Sequence, residues 1–208
     1  MALYALREPP GTLRGDLALL LAAAINRRRL LGVYWIPSRR RLAAAFRDPV
    51  DRWGAFEPLP GEELARAYRM ECPRGCGLCC AARSGAIALD VELRYMPGWA
   101  RGLVERQPWR LVETPAGRVR VYRLDTGPRG RCVFFNPETG GCRLEEEAGR
   151  EAKPILCRLT YCTLFATGPG GRYLRVPGSG LPRYRPATRR EWVEAVARLR
   201  ARWAGRGG

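Results

Sequence analysis

The residues able to do chemistry in this 208-residue chain are its eight cysteines. Cys72, Cys76, Cys79 and Cys80 fall within nine residues, and Cys132, Cys142, Cys157 and Cys162 within thirty-one. Histidine is absent, which removes Ser-His-Asp and Cys-His catalysis and every mixed Cys/His zinc site. All-thiolate ligation remains, the chemistry of zinc and of iron–sulfur clusters. Cys76-Gly77-Leu78-Cys79 has the knuckle spacing that turns two sulfurs toward one ion, and Gly77 permits the tight turn. The competing use is disulfides, which a mesophilic cytosol reduces and a hyperthermophilic one tolerates. Adjacent Cys79 and Cys80 are awkward in a disulfide framework and hardly bind one zinc, because neighbouring side chains diverge. They sit more easily around a multi-iron cluster, which favours [4Fe–4S] over zinc. All eight cysteines are taken as metal ligands.

Arginines crowd these cysteines, with Arg74, Arg83, Arg131, Arg143 and Arg158 each within three residues of one. They are expected to offset the negative charge of a thiolate site. Cys72-x3-Cys76-x2-Cys79 also has the spacing of the radical-SAM triad. That fold needs a long run of alternating strands and helices, and only 129 residues follow Cys79; the spacing is read as coincidence.

The cysteine segment resembles the YkgJ-like CxxCxxCC cysteine-cluster family of zinc- or iron-chelating proteins. Cys76-Gly77-Leu78-Cys79-Cys80 is similar to its Cys-Gly-x-Cys-Cys signature, with Ile87–Leu93 like the apolar segment that follows. Arg131-Cys132-Val-Phe-Phe-Asn136 resembles its Cys-x-Phe-Leu element. Gly140-Gly-Cys142-Arg-Leu144-Glu145 and Lys153-Pro-Ile-Leu-Cys157-Arg158 resemble its Gly-x-Cys-x-Ile-Tyr-Glu and Arg-Pro-x-x-Cys-Arg elements. The match spans residues 72–158 in order and spacing, departing from the family in the first spacing, in Lys153 for arginine and in lacking the usual Phe-Pro after the last element. The resemblance implies iron or zinc chelation and leaves the biochemical function open.

Charge points to a partner. The net charge is +17, yet residues 17–47 hold seven arginines and no acid, and residues 168–208 hold ten against Glu191 and Glu194. Two acid-poor flanks around a nearly neutral middle suit a bound polyanion, which would relieve their self-repulsion. The expected function is therefore a metal-binding cysteine-cluster protein that docks through its flanks on RNA or a ribonucleoprotein, with Arg27, Arg28, Arg29, Arg39, Arg40 and Arg41 as nucleic-acid contacts. Two alternatives stand beside it. One is an iron–sulfur-dependent redox or group-transfer enzyme with Cys72 as spare thiolate, although no Gly-rich nucleotide loop or paired carboxylates appear. The other is a structural metal module within a protein complex.

The elements that must position these residues read as α+β, a small cysteine-cluster metal-binding domain with short hairpins. Residues 1–60 read as a basic helical extension, 61–167 as the cysteine-cluster domain, and 168–208 as a basic hairpin and helix packed on it. Residues 12–31 read as a helix capped by Thr12, Val33–Ile36 as a short strand, and Arg39–Arg47 as a second helix with Leu42, Ala45 and Phe46 inward. Leu111–Thr114 and Gly117–Leu124 read as a hairpin, as do Thr163–Ala166 and Arg172–Val176. Thr188-Arg-Arg-Glu191 is a capping box opening a helix with Trp192, Val196, Leu199 and Trp203 in one stripe, ended by Gly205. The longest apolar run, Leu17–Ile25, is nine residues, where a membrane span needs about twenty. No membrane partner is expected, no secretory signal is read, and the expected location is the cytoplasm. Lys153 is the one lysine against 36 arginines and Gln107 the one glutamine, a composition that fits a thermophile or a GC-rich genome.

Overall fold

The computed structural model describes residues 1–7, 16–73, 80, 85–115, 117–160, 162–178 and 180–204. Along the chain come β1 (Leu3–Leu6), α1 (Leu17–Ile25), β2 (Leu30–Ile36), β3 (Arg41–Arg47), β4 (Phe56–Pro58), α2 (Gly61–Ala65) and β5 (Tyr68–Met70). Next are β6 (Ile87–Leu89), α3 (Gly98–Glu105), β7 (Trp109–Thr114), β8 (Gly117–Arg123), α4 (Arg143–Ala148) and α5 (Ile155–Leu159). The chain closes with β9 (Phe165–Gly168), β10 (Gly171–Arg175), β11 (Tyr184–Ala187) and α6 (Arg189–Ala204).

Eight strands form one sheet in the order β11-β10-β9-β5-β2-β3-β1-β4, and β6-β8-β7 form a second. The paired strands are antiparallel, so the arrangement is α+β. The two flanks belong to the same sheet. Short β5 joins them, pairing with β2 on one side and β9 on the other. The chain leaves the sheet after β5 and returns at β9, where the Glu71 amide donates to the Phe165 carbonyl at 3.0 Å. Residues 71–164, with all eight cysteines, are thus an insertion between two neighbouring strands. Cys72 and Cys162 stand at its neck.

Residues 1–60 supply four strands and, among the described residues, one α-helix, so the expected helical extension is corrected to the body of the sheet. Arg39–Arg47, expected as a helix, is β3 preceded by a 3₁₀ turn. Alanine favours helix by intrinsic propensity, but packing decides here. Ala44 and Phe46 join one core and Ala43 and Ala45 the other, the period of two that a strand buried on both faces requires. Phe46 alone contributes roughly 1.5–3 kcal/mol by burial. Arg40, at φ 49°, turns the chain between β2 and β3.

Helix α1 starts at Asp16, whose carboxylate accepts from the Ala18 and Leu19 amides; Thr12 lies outside the described residues. Asn26 stops it, donating to the Ala22 and Val50 carbonyls. The β7–β8 and β9–β10 hairpins form as read. So does the capping box of α6, with Thr188 and Glu191 exchanging hydrogen bonds. Trp192 packs edge-on against Phe165 at 5.0 Å; the Trp203 side chain and Gly205 are outside the described residues. No helix among the described residues is long and apolar enough to cross a membrane.

Candidate metal centre

Three separate stretches of the insertion meet at Cys80. The Cys80 carbonyl accepts from the Cys132 amide at 2.9 Å, which ties the first cysteine segment to the loop after β8. That loop is tight: a Cβ on Gly127 would meet the Arg131 carbonyl oxygen at 2.9 Å. Cys142 is brought alongside by a short turn in which Phe135 bridges Cys142 and Arg143 donates to the Phe134 carbonyl at 2.8 Å. Asn136 and Thr139 brace this turn by donating to Glu146. A side chain at Gly141 would collide with that carboxylate. Cys157 arrives on α5, which starts directly after Pro154.

The Cys80 side chain is in hydrogen-bond contact with both Cys132 and Cys142, and Cys157 lies close enough to interact electrostatically with Cys80 and Cys142. The contact with Cys132 leads in raising the Cys80 thiol, pushed up to about 12; the contact with Cys142 opposes it and burial adds to it. Cys142 is raised by its contact with Cys80 and then by burial, and Cys157 chiefly by burial. One buried cation faces them. Burial works against the charge of Lys153, but Glu145, Cys142 and Cys157 outweigh it and hold it above an ordinary lysine. Its Nζ donates to Glu145 at 2.7 Å.

Among the described residues no group of three or more Cys, Asp or Glu side chains is placed so as to hold a metal ion. Cys76 and Cys79 lie outside the described residues, as do Arg74 and Arg83. The donor chemistry nonetheless fits a soft ion. Thiolates around a tetrahedral ion at about 2.3 Å stand roughly 3.8 Å apart, a separation compatible with thiols in hydrogen-bond contact. Cys72 lines a separate cavity of about 70 Å³ with Arg69, Arg150 and Arg158.

Of the arginines expected to neutralise the cysteines, the three described ones are engaged elsewhere. Arg131 lies over Phe135 at 4.8 Å and Arg143 over Trp99 at 4.6 Å. Arg158 donates to the Arg27 carbonyl and pairs with Glu151. Lys153 does the work assigned to them, and its signal was its singularity among so many arginines. Glu92 was also missed. It is 1% exposed, accepts from the Leu89 and Ile155 amides at 3.0 and 2.6 Å, and pairs with Arg27 at 3.3 Å.

That pairing corrects part of the set of arginines expected to contact nucleic acid. Arg27 is 1% exposed, and its guanidinium bonds to Glu92 and to the Glu151 and Lys153 carbonyls, which puts it out of reach of a phosphate. Arg39 is held by Glu63 and Glu57, and Arg41 by Glu57. Arg28, Arg29 and Arg40 are exposed, Arg28 lying 5.3 Å over the Tyr95 ring. No family model matches the chain, and neither a curated protein nor a solved structure does.

Proposed function

We propose that this protein carries a thiolate-ligated metal centre, iron–sulfur or zinc, and docks on RNA or a ribonucleoprotein. The observation that carries the metal half is the contact of Cys80 with both Cys132 and Cys142, from stretches far apart in the chain. Cys157, which interacts electrostatically with Cys80 and Cys142, would be the fourth sulfur, and the sequence offers Cys76 and Cys79 as two further candidates. The resemblance over residues 72–158 supports the same assignment. A bound ion or cluster would supply rigidity or electron transfer. The chain's own residues hold the thiols inside a core of Phe134, Leu144 and Ala152 and set Lys153 against their charge.

The raised thiols give the proposal a pH sign. Each ligand must lose its proton to bind, so loading strengthens as pH rises. Replacing Cys132 by Ser is expected to abolish most of the metal content of anaerobically purified protein and to lower its melting temperature. Full metal occupancy with unchanged melting would refute the assignment. The docking half rests on exposed arginines of the flanks, Arg28, Arg29 and Arg40 at one end and Arg172, Arg183 and Arg189 at the other.

A further inference from the structure

Inside the large sheet, β2 and β5 pair over only two positions, Tyr34 with Arg69 and Trp35 with Tyr68. Their pairing stops there. Further toward the start of β2 the strand is bulged between Leu30 and Gly32, while Arg69 and Met70 pair on their other side with Thr167 and Ala166 of β9. A cleft of about 70 Å³ lies at the divergence, lined by residues 30–33 and 69–72 and by Arg150, Glu151, Arg158 and Thr160. Arg150 and Glu151 come from the 3₁₀ turn before α5.

Three guanidinium groups line this cleft against two carboxylates. Both carboxylates are engaged. Glu151 pairs with Arg158 at 2.9 Å, its own side chain 74% exposed, and Glu71 accepts from the Thr167 hydroxyl at 3.1 Å. The guanidinium groups are less fully used. Arg150 makes no ion pair among the described residues. The Arg69 Nε stands 3.7 Å from Glu71, beyond hydrogen-bond reach. A Cβ on Gly32 would meet that Nε at 2.9 Å, so the glycine, at φ 151°, makes room for Arg69. Arg158 is 7% exposed, and its Nε is buried with no hydrogen-bond partner. Burial lowers the Arg158 guanidinium first and Glu151 opposes this, but Arg27 and Arg150 then work against its charge as well. Positive charge is in excess at this edge of the network, and an anion would relieve it.

We propose that this cleft binds a single phosphate group, held by Arg150 and Arg69 beside the buried Arg158. Guanidinium forks match the oxygens of phosphate and give it charge-assisted hydrogen bonds. Size sets the limit. A cavity of about 70 Å³ holds a few waters and falls well short of the roughly 300 Å³ at which small-molecule sites begin. The group that enters is therefore a free phosphate ion or the terminal phosphate of a chain that stays outside. The site is separate from the thiols, and with free phosphate it needs no RNA, so its failure leaves both halves of the proposed function standing.

The test is calorimetric titration of the full chain with inorganic phosphate at constant ionic strength. Saturable binding is expected, weakened on the order of tenfold by Arg150→Gln and partly regained in Arg150→Lys, with Arg69→Gln acting in the same direction. Melting without phosphate and metal content should be unchanged in Arg150→Gln, because that side chain makes no ion pair to lose. A second arm compares one oligoribonucleotide with and without a 5′-phosphate. Tighter binding of the phosphorylated strand that disappears in Arg150→Gln assigns the group to an RNA end; binding of phosphate alone, with no such gain, assigns it to the free ion. A response to phosphate no greater than that to chloride, together with no gain from the 5′-phosphate, would overturn the site. Binding indifferent to both Arg150→Gln and Arg69→Gln would overturn it equally.

Discussion

Neighbouring residues of α5 belong to two unlike clusters. Arg158 joins a network in which the guanidinium of Arg27 reaches one carboxylate and two carbonyls, and the carboxylate of Glu92 reaches two amides. Cys157 joins a set of thiols of which Cys80, Cys142 and Cys157 are raised, and beside them Lys153 is shared with Glu145. The first cluster balances its charges with groups the chain supplies. The second concentrates soft donors that gain most when they lose protons to a positive ion. A buried polar cluster closed on itself holds segments together, whereas thiols are the donors that soft metal ions select.

The largest expected effect falls on the closed cluster. Burial pushes the Glu92 carboxyl up, while the Leu89 amide, Arg27 and the Ile155 amide hold it down. Glu92→Ala leaves Arg27 buried without a counter-charge and is expected to cost about 3–5 kcal/mol of stability, measured by urea unfolding with and without metal. An equal loss in both conditions keeps the two clusters independent. A loss seen only in the metal-loaded protein would merge them.

A smaller effect separates inside from outside on one turn. Arg28 and Arg29 follow Arg27 directly but are exposed. Replacing both by Gln should leave stability within about 0.5 kcal/mol. If the flanks hold RNA, the salt slope of binding should fall by at most about 1.4, from two lost single-strand contacts. A stability loss comparable to that of Glu92→Ala would contradict their placement.

A third effect belongs to α6. Glu191 is held below the usual carboxylate range by the Thr188 amide first, then by Arg185 and the Thr188 hydroxyl. A lowered carboxylate lends its stability above the unfolded pKa and loses it as pH falls through the folded one. Helicity at α6 should therefore fray under acid conditions. Thr188→Ala should cost on the order of 1 kcal/mol at neutral pH, read by circular dichroism and melting.

What could be read from residues alone was local. The hairpin β7–β8 alternates Val119 and Val121 with arginines, and the opening of α6 is spelled by Thr188 and Glu191. β3 was not legible, because Ala43, Ala44 and Ala45 favour a helix until two layers close on the strand. Arg27 was hidden by its neighbours, since three consecutive arginines after an apolar helix look like a solvated end. Only the long-range pairing with Glu92 distinguishes the first of them. The cysteine corner lies between. Spacing singled out the thiols as candidate ligands, but the place of Lys153 and Glu145 beside them became visible only once the chain had folded around Cys80.

X-ray absorption at the metal edge of anaerobically purified protein tests most directly whether these cysteines close on one ion or cluster. A first shell of sulfur is expected at about 2.3 Å, with an added iron–iron path if the centre is a cluster, and that shell should lose sulfur in Cys142→Ser. A first shell dominated by oxygen or nitrogen, or protein free of metal that melts unchanged after loading, would contradict it.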